Sequence, residues 1–263
     1  MTVITLGPEG TFSHELARKL KCDPVVLKPT IHSIFAAVAA GEGDGIVPIE
    51  NSDAGGVGET LDGLMQYPLL ITAEMYMPIH HNLASLVPLE QIRVIYAHPQ
   101  THEQCSSCIE KWQIPVIHTS SNASSAIEAK KTPNAGAILS VSAAAIYRIP
   151  VIAGHVENNP ENTTRFVRIA KNPGPECRTG KCSILIDPDI DRAGLLYDLL
   201  GVFARRGINL TRIESRPSKR GMGKYVFFLD YAMNNSTNDA MSELATISAF
   251  RKLGCYQKVE VPP

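Results

Sequence analysis

Residues 1–170 alternate short apolar runs with segments of helical spacing, and this alternation limits the possible folds more than any single motif does. The apolar runs fall at 3–6, 45–49, 69–77, 94–97, 116–117, 137–139, 151–152 and 166–170. Helical signals lie between them. Ser13 suits the cap of a helix reaching about residue 20. Residues 31–40 form a second helix closed by Gly41, followed by helices over 59–65 and 99–111 and alanine-rich stretches from Ala123. Such alternation implies a mainly parallel sheet covered on both faces. At about 170 residues, two lobes around a cleft suit the pattern better than one continuous sheet.

The pattern changes after KNPGPECRTGK at 171–181, whose two prolines and two glycines mark a linker. We therefore expect a two-lobed unit over 1–171, a linker over 172–181 and a second unit over 182–263. In that second unit a strand at 182–186 precedes a helix over 194–206, where Leu196, Leu199, Leu200 and Phe203 share a face. Arg205, Arg206 and Gly207 suit the end of that helix. Strands follow at 209–215 and 224–232. Met241, Leu244 and Ile247 mark a second helix, with Gly254 as its stop, and a last strand covers 257–261. The order βαββαβ is ferredoxin-like.

Composition narrows the function. With 25 basic and 26 acidic side chains the net charge is −1, which argues against a nucleic-acid-binding surface. The basic run over 212–224 is interrupted by Glu214 and reads as a solvated loop. No apolar run approaches the roughly 20 residues of a membrane span. The start of the chain lacks a basic segment followed by a long apolar one, so a cytoplasmic protein is expected. Among the six cysteines, a zinc site from Cys105, Cys108, Cys177 and Cys182 is conceivable. The first pair falls in a helix, however, and the second is loosely spaced, so buried apolar cysteines are the preferred reading. A disulfide framework is not expected.

Polar motifs open or close the apolar runs of the first unit, where open α/β sheets bind ligands. GPEGTFS at 7–13 places backbone amides and the Thr11 hydroxyl before a helix. PIENS at 48–52 ends a strand with Asn51 and Ser52, and Glu50 beside them is free to pair with a cation. Ser120 and Ser121 precede the alanine-rich helix, and one of them caps it. In NTTRF at 162–166, strand alternation puts Arg165, Val167 and Ile169 on one face and Thr164 with Phe166 on the other. A buried Arg165 needs an anionic partner, either Glu50 or a substrate carboxylate. His98 and His102 have i, i+4 spacing, but no glutamate follows His98, so a metalloprotease motif is rejected and surface or capping roles are preferred.

In the order GPEGTFS, PIENS, HPQ at 98–100, NTTRF and ESRP at 214–217, the chain resembles prephenate dehydratase along nearly its whole length. The resemblance implies an α/β fold, with a two-lobed, periplasmic-binding-protein-like catalytic domain followed by a ferredoxin-like ACT regulatory domain. It implies decarboxylative dehydration of prephenate to phenylpyruvate in phenylalanine biosynthesis, without cofactor or metal. Thr164 is carried over as catalytic. Thr11, Asn51, Ser52, Ser120, Ser121, Thr163, Arg165 and Phe166 are carried over as substrate-binding. L-Phenylalanine is the implied feedback effector, held between paired subunits of a homodimer or homotetramer. Its implied site comprises Gly194, Leu195, Leu196, Asn209, Glu214, Ser215, Arg216 and Pro217. Leu195 replaces a smaller alanine of the family pattern and is expected to crowd that site. The alternatives are arogenate dehydratase and a catalytically silent amino-acid sensor.

Overall fold

The computed structural model describes residues 2–172, 179–189 and 192–262. The first lobe comprises β1 (Val3–Leu6), α1 (Phe12–Lys19), β2 (Val25–Lys28), α2 (Ile31–Ala40), β3 (Asp44–Asn51), β4 (Gly55–Gly56), α3 (Gly58–Gln66) and β5 (Leu70–Pro78). The second comprises β6 (Asn82–Ser85), β7 (Val94–Ala97), α4 (Pro99–Gln104), α5 (Ser106–Trp112), β8 (Val116–His118), α6 (Asn122–Lys131), β9 (Ala135–Leu139), α7 (Val141–Tyr147) and β10 (Val151–Ala153). β11 (Thr163–Ala170) then returns to the first lobe. The C-terminal unit is β12 (Lys181–Ile186), α8 (Leu195–Ala204), β13 (Leu210–Pro217), β14 (Tyr225–Ala232), α9 (Thr237–Ile247) and β15 (Phe250–Lys258).

Helix α2 shows how local sequence sets these elements. Thr30 and Ser33 cap its start reciprocally. Ile31, Ile34, Phe35 and Val38 recur three and four residues apart and are buried. Gly41 closes the helix at φ 87, a conformation glycine adopts without steric penalty.

The first-lobe sheet runs β5-β11-β3-β1-β2, and the second-lobe sheet runs β10-β6-β9-β7-β8. The sheets are mixed rather than mainly parallel. β1 pairs in parallel with β2 and β3, but β11 is antiparallel to both β3 and β5 because the chain crosses between lobes twice. The C-terminal sheet, β13-β14-β12-β15, is antiparallel throughout, as expected for βαββαβ. It joins the first lobe edge to edge, with Gln257 opposite Ala73 and Lys258 opposite Glu74.

Other local expectations change as well. Thr11, not Ser13, caps α1. The segment 99–111 is broken at Cys105 into α4 and α5. The last strand starts at Phe250, because α9 ends before the extended Ser248 and not at Gly254. The linker expected over 172–181 lies largely outside the described residues, as does Cys177. Cys105 is fully buried, and burial pushes its thiol pKa up. Cys182 and Cys255, 73 residues apart, face each other across β12 and β15 and form one disulfide, which spacing alone did not reveal.

Gly254 lies within β15 at φ 133, and a Cβ there would overlap the Ile71 carbonyl oxygen of β5. The close approach of the two sheets at this point requires a position without a side chain. Gly254→Val should lower stability by at least about 1–3 kcal/mol, seen as a lower urea midpoint. An unchanged midpoint would contradict this edge-to-edge junction.

Candidate active-site cleft

A cleft of about 450 Å³ opens between the lobes. Strand register places its central hydroxyl. Thr164 on β11 lies opposite Asn51 on β3, and the Asn51 Nδ2 donates to Thr164 Oγ1 at 2.9 Å and to Asn162 Oδ1 at 2.7 Å. The Asn51 Oδ1 accepts from the amides of Asp53 and Ala54 and from Gln104 Nε2, which fixes the orientation of the side-chain amide. Thr164 therefore receives a hydrogen bond on its oxygen. Among the described residues its own hydrogen has no acceptor, so it is free to donate to a ligand.

Phe166 lies two residues on, and strand alternation turns it to the same face as Thr164. With Leu6, Ile31, Val57 and Ile79 it gives the cleft an apolar wall. The polar wall comes from helix starts. Thr11 caps α1, accepting from the His14 amide at 3.3 Å and donating to the Leu6 carbonyl at 2.7 Å. Phe12 and Ser13 follow on the first turn. Ser121 caps α6 and accepts from the Ser124 amide at 3.0 Å. Ser120 and Asn122 flank it, and Thr101 donates to Asn122 at 2.8 Å. His98 caps α4, with Nδ1 accepting from the Gln100 amide at 3.3 Å. First-turn amides lack partners within their own helix and carry positive partial charge, so these helix starts favour anions. No lysine or arginine lines the cleft among the described residues.

Three residues expected to bind substrate lie elsewhere. Arg165, 4% exposed, points away from the cleft on the face opposite Thr164. Its guanidinium donates to Glu74 at 2.8 Å, to Asp230 at 2.6 Å and to the Tyr256 hydroxyl at 2.9 Å. Glu50, the partner considered from sequence, is more distant at 3.4 Å. Burial opposes the charge on Arg165, but Asp230 and Glu74 outweigh it and raise its pKa. The alternation that separated Arg165 from Thr164 was thus legible, while its main partners, far along the chain, were not. Ser52 sits in the exposed turn after β3, where its hydroxyl accepts from the Thr163 amide at 3.0 Å. Thr163 donates to the Glu161 carbonyl at 3.2 Å.

His81 and Gln104 are cleft residues outside the set expected to bind substrate. The His81 ring is 1% exposed, and its Nε2 lies 3.0 Å from Gln104 Oε1. Gln104 in turn reaches Asn51, so these residues link the second lobe to the hydroxyl of Thr164. The pairing of His80 with His81 was visible in the sequence. That only one ring enters the cleft depends on the chain crossing.

Within the C-terminal unit, β13 presses Glu214 and Arg216 against the first lobe. Arg216 donates to Asp62 of α3 at 3.0 Å and approaches the Gly58 carbonyl at 3.5 Å, and Lys219 also donates to Asp62. The Glu214 carboxylate occupies the space a Cβ on Gly56 would need. Leu195 is buried among the apolar side chains of its own unit, and it borders a hollow of about 60 Å³ with Pro188, Lys224, Tyr225 and Phe227. Gly194 precedes α8 at φ 79 and Asn209 is exposed.

Two outcomes follow from this geometry. Arg165→Met should leave Glu74 and Asp230 without their shared cation and cost about 3–5 kcal/mol, measured by urea denaturation. A loss under about 1 kcal/mol would indicate that the guanidinium does not hold the two carboxylates. Burial also lowers the pKa values of His81, His14 and His98, helped at His98 by neighbouring His118. The unfolded chain binds protons below about pH 6.5, where these native rings resist protonation. Stability should therefore be full above that pH and fall as the pH drops below it. The slope of urea midpoint against pH should be shallower in His81→Gln, and an identical slope would remove His81 as a contributor.

The sequence pattern of the prephenate dehydratase family matches residues 3–174, and that of the ACT domain matches residues 190–248. The bifunctional chorismate mutase/prephenate dehydratase of Pseudomonas aeruginosa is 35% identical over 269 residues, covering 98% of this chain and 73% of its own. The prephenate dehydratase of Methanocaldococcus jannaschii is 35% identical over 245 residues, covering 88% of each chain. Among solved structures, the prephenate dehydratase of Arthrobacter aurescens in complex with L-Phe superposes with a TM-score of 0.88 at 32% identity, over 98% of this chain and 90% of its own.

Proposed function

The chain belongs to the prephenate dehydratase family, and from that premise we infer that Thr164 carries the reaction, the loss of carbon dioxide and water from prephenate to give phenylpyruvate. The observation that carries this assignment is the hydrogen bond from Asn51 to Thr164 Oγ1, which leaves the threonine hydrogen free to donate into the cleft.

In this reading the electron pair of the breaking ring–carboxylate bond enters the six-membered ring. The ring becomes aromatic and the hydroxyl on its opposite carbon leaves. Thr164 donates to that departing oxygen, which takes the threonine proton and leaves as water; the Asn51 N–H supports the charge on Oγ1 until a solvent proton restores the hydroxyl. The departing carboxylate loses its charge as carbon dioxide. Phe166 and the apolar wall receive the ring, whose growing aromaticity drives the step without a cofactor. The remaining carboxylate meets the starts of α1 and α6, so helix-end amides and hydroxyls take the anchoring role once expected of Arg165.

The reading includes feedback by L-phenylalanine. It is supported by the relative from Arthrobacter aurescens, solved with L-Phe, and by the contact of Glu214 and Arg216 with the Gly56–Gly58 segment at the cleft edge. The single-chain hollow beside Leu195 is too small for an amino acid, which favours an effector site completed by a second chain. Leu196, Tyr197, Ile213, Met222 and Tyr225 expose apolar surface on the C-terminal unit, consistent with a homodimer or a homotetramer. Residues 1–171 are then the catalytic unit and 182–263 the regulatory one. Among the described residues no helix is long and apolar enough to cross a membrane, and the reading places the enzyme in the cytoplasm.

Incubation with prephenate should yield phenylpyruvate, followed by its absorbance in alkali, and L-phenylalanine should reduce the rate. Thr164→Val should lower kcat about 100- to 1000-fold, as for loss of one donor to developing charge, with KM nearly unchanged. Thr163→Val should stay near the wild-type rate. Equal losses in the two variants would overturn the assignment of Thr164, and absence of product in the wild type would overturn the reaction itself.

A further inference from the structure

The lobes are joined by two crossovers, residues 79–81 between β5 and β6 and residues 154–162 between β10 and β11. They meet at one carboxylate. The Val156 amide donates to the His81 carbonyl at 2.9 Å. Beside it, Glu157 Oε2 accepts from the His81 amide at 2.9 Å. Glu157 Oε1 then lies 2.9 Å from His80 Nδ1 and 3.1 Å from His155 Nδ1. The Glu157 side chain is 1% exposed, whereas those of His80 and His155 are 40% and 70% exposed. None of the three lines the substrate cleft.

We propose that His80, His155 and Glu157 form a binding site for a divalent transition metal of the zinc class, clasping the two crossovers at the hinge between the lobes. The donor set suits such an ion. Two imidazole nitrogens and a carboxylate favour zinc, cobalt or nickel, while magnesium and calcium favour oxygen donors. The spacing suits it too. A tetrahedral ion with bonds near 2 Å places its ligands about 3.3 Å apart, and the three ligand atoms here lie within 4.8 Å of one another.

The carboxylate is prepared for the role. Its side chain is almost wholly buried, with Oε1 turned to the two imidazoles. The His81 amide fixes Oε2 and so aims Oε1, as an outer hydrogen bond orients a metal ligand. His155 has φ 53, in the left-handed region that few side-chain-bearing residues adopt, and its ring meets that of His80 with centroids 4.7 Å apart. A hydrogen-bonded cluster alone accounts for the buried Glu157. It gives little reason for a largely exposed ring held in this backbone conformation against a second ring. Three protein ligands leave a fourth position for water.

The clasp also reaches the cleft. Glu157 holds the His81 backbone, the His81 ring meets Gln104, and Gln104 meets Asn51, which holds Thr164. A bound ion would therefore restrain lobe movement and the position of this hydrogen-bonded chain together.

The test is titration of the metal-stripped full chain with Co2+, followed by visible absorbance, then displacement by Zn2+. One equivalent should bind with the intense bands of a tetrahedral ion, and Zn2+ should raise Tm. His155→Gln, at an exposed position, should keep the fold by circular dichroism and weaken Co2+ binding at least about tenfold. Glu157→Gln should do the same, while Cys108→Ser and His102→Gln should bind as the wild type does. The last variant controls for the exposed His102–His118 pair, whose nitrogens lie 2.9 Å apart. Absence of Co2+ binding, binding unaffected by His155→Gln, or binding lost in His102→Gln would each overturn the proposal. Because absorbance and Tm need no substrate, these results are independent of the reading of the cleft.

Discussion

The Arg165 guanidinium is the interaction on which the rest of the structure depends. It lies one residue from Thr164 and joins three parts of the chain: β11 itself, β5 through Glu74, and the C-terminal sheet through Asp230 and Tyr256. Lys181 adds a second cation on Glu74 at 2.8 Å, so two cations face two buried carboxylates. Ser183 satisfies the other oxygen of Asp230 and the Tyr256 hydroxyl, both at 2.5 Å. Buried charges of this kind are tolerable only when each has a partner and hydrogen bonds. Their value here lies in specificity of arrangement. An apolar junction would tolerate sliding of β15 along β5, whereas this network fits one register, the one that places Lys258 opposite Glu74.

Committing the arginine to that junction has a consequence for chemistry. The cleft must bind an anion without a side-chain cation among its described lining residues. Helix starts supply the positive potential, and they do so with groups that need little reorganisation because the backbone already holds them. The arrangement also avoids pairing the departing carboxylate with a fixed cation, which would stabilise the ground state and oppose loss of carbon dioxide. In the proposed reading, an apolar wall on one side and amides with hydroxyls on the other would distinguish the carboxylate that stays from the one that leaves.

Much of this was legible in the sequence because it is local. The apolar alternation of β11 separated Thr164 and Phe166 from Arg165, and the spacing of Ile31, Ile34, Phe35 and Val38 with Gly41 marked α2 from end to end. Of the polar residues expected at the site, Thr11, Asn51 and Ser121 line the cleft. Non-local features were hidden. β2, with charge beside it and little apolar contrast, left no clear period, and β6 reads as a short polar-edged run that becomes a strand only by pairing with β9 and β10. Asp230 lies 65 residues from Arg165, and no spacing rule connects them. Gly254 looked like a helix stop because glycine serves there often. Its actual reason, the close approach of β5, belongs to tertiary structure.

The same junction explains how a regulatory unit could influence chemistry some distance away without a dedicated wire. Besides the apolar core that Leu185, Val226, Phe228 and Leu253 share with the first lobe and the bonds from Arg251 to the Leu64 and Tyr67 carbonyls, the C-terminal unit makes two polar contacts with different consequences. At β15 and Asp230 it holds the far face of the strand that bears Thr164, so displacement there acts on the proposed catalytic hydroxyl through one rigid strand. At β13, Arg216 and Glu214 hold the segment before α3, where Val57, Gly58 and Glu59 form the cleft edge. A rotation of the C-terminal sheet as a body would have to disturb one contact or both. The first is buried and charge-balanced, hence costly to break. The second consists of partly exposed ion pairs, which are individually weak. Of these two polar contacts the one at β13 is the easier to disturb, and the expected regulatory response is a change in the cleft edge around Gly58 with Thr164 held in place.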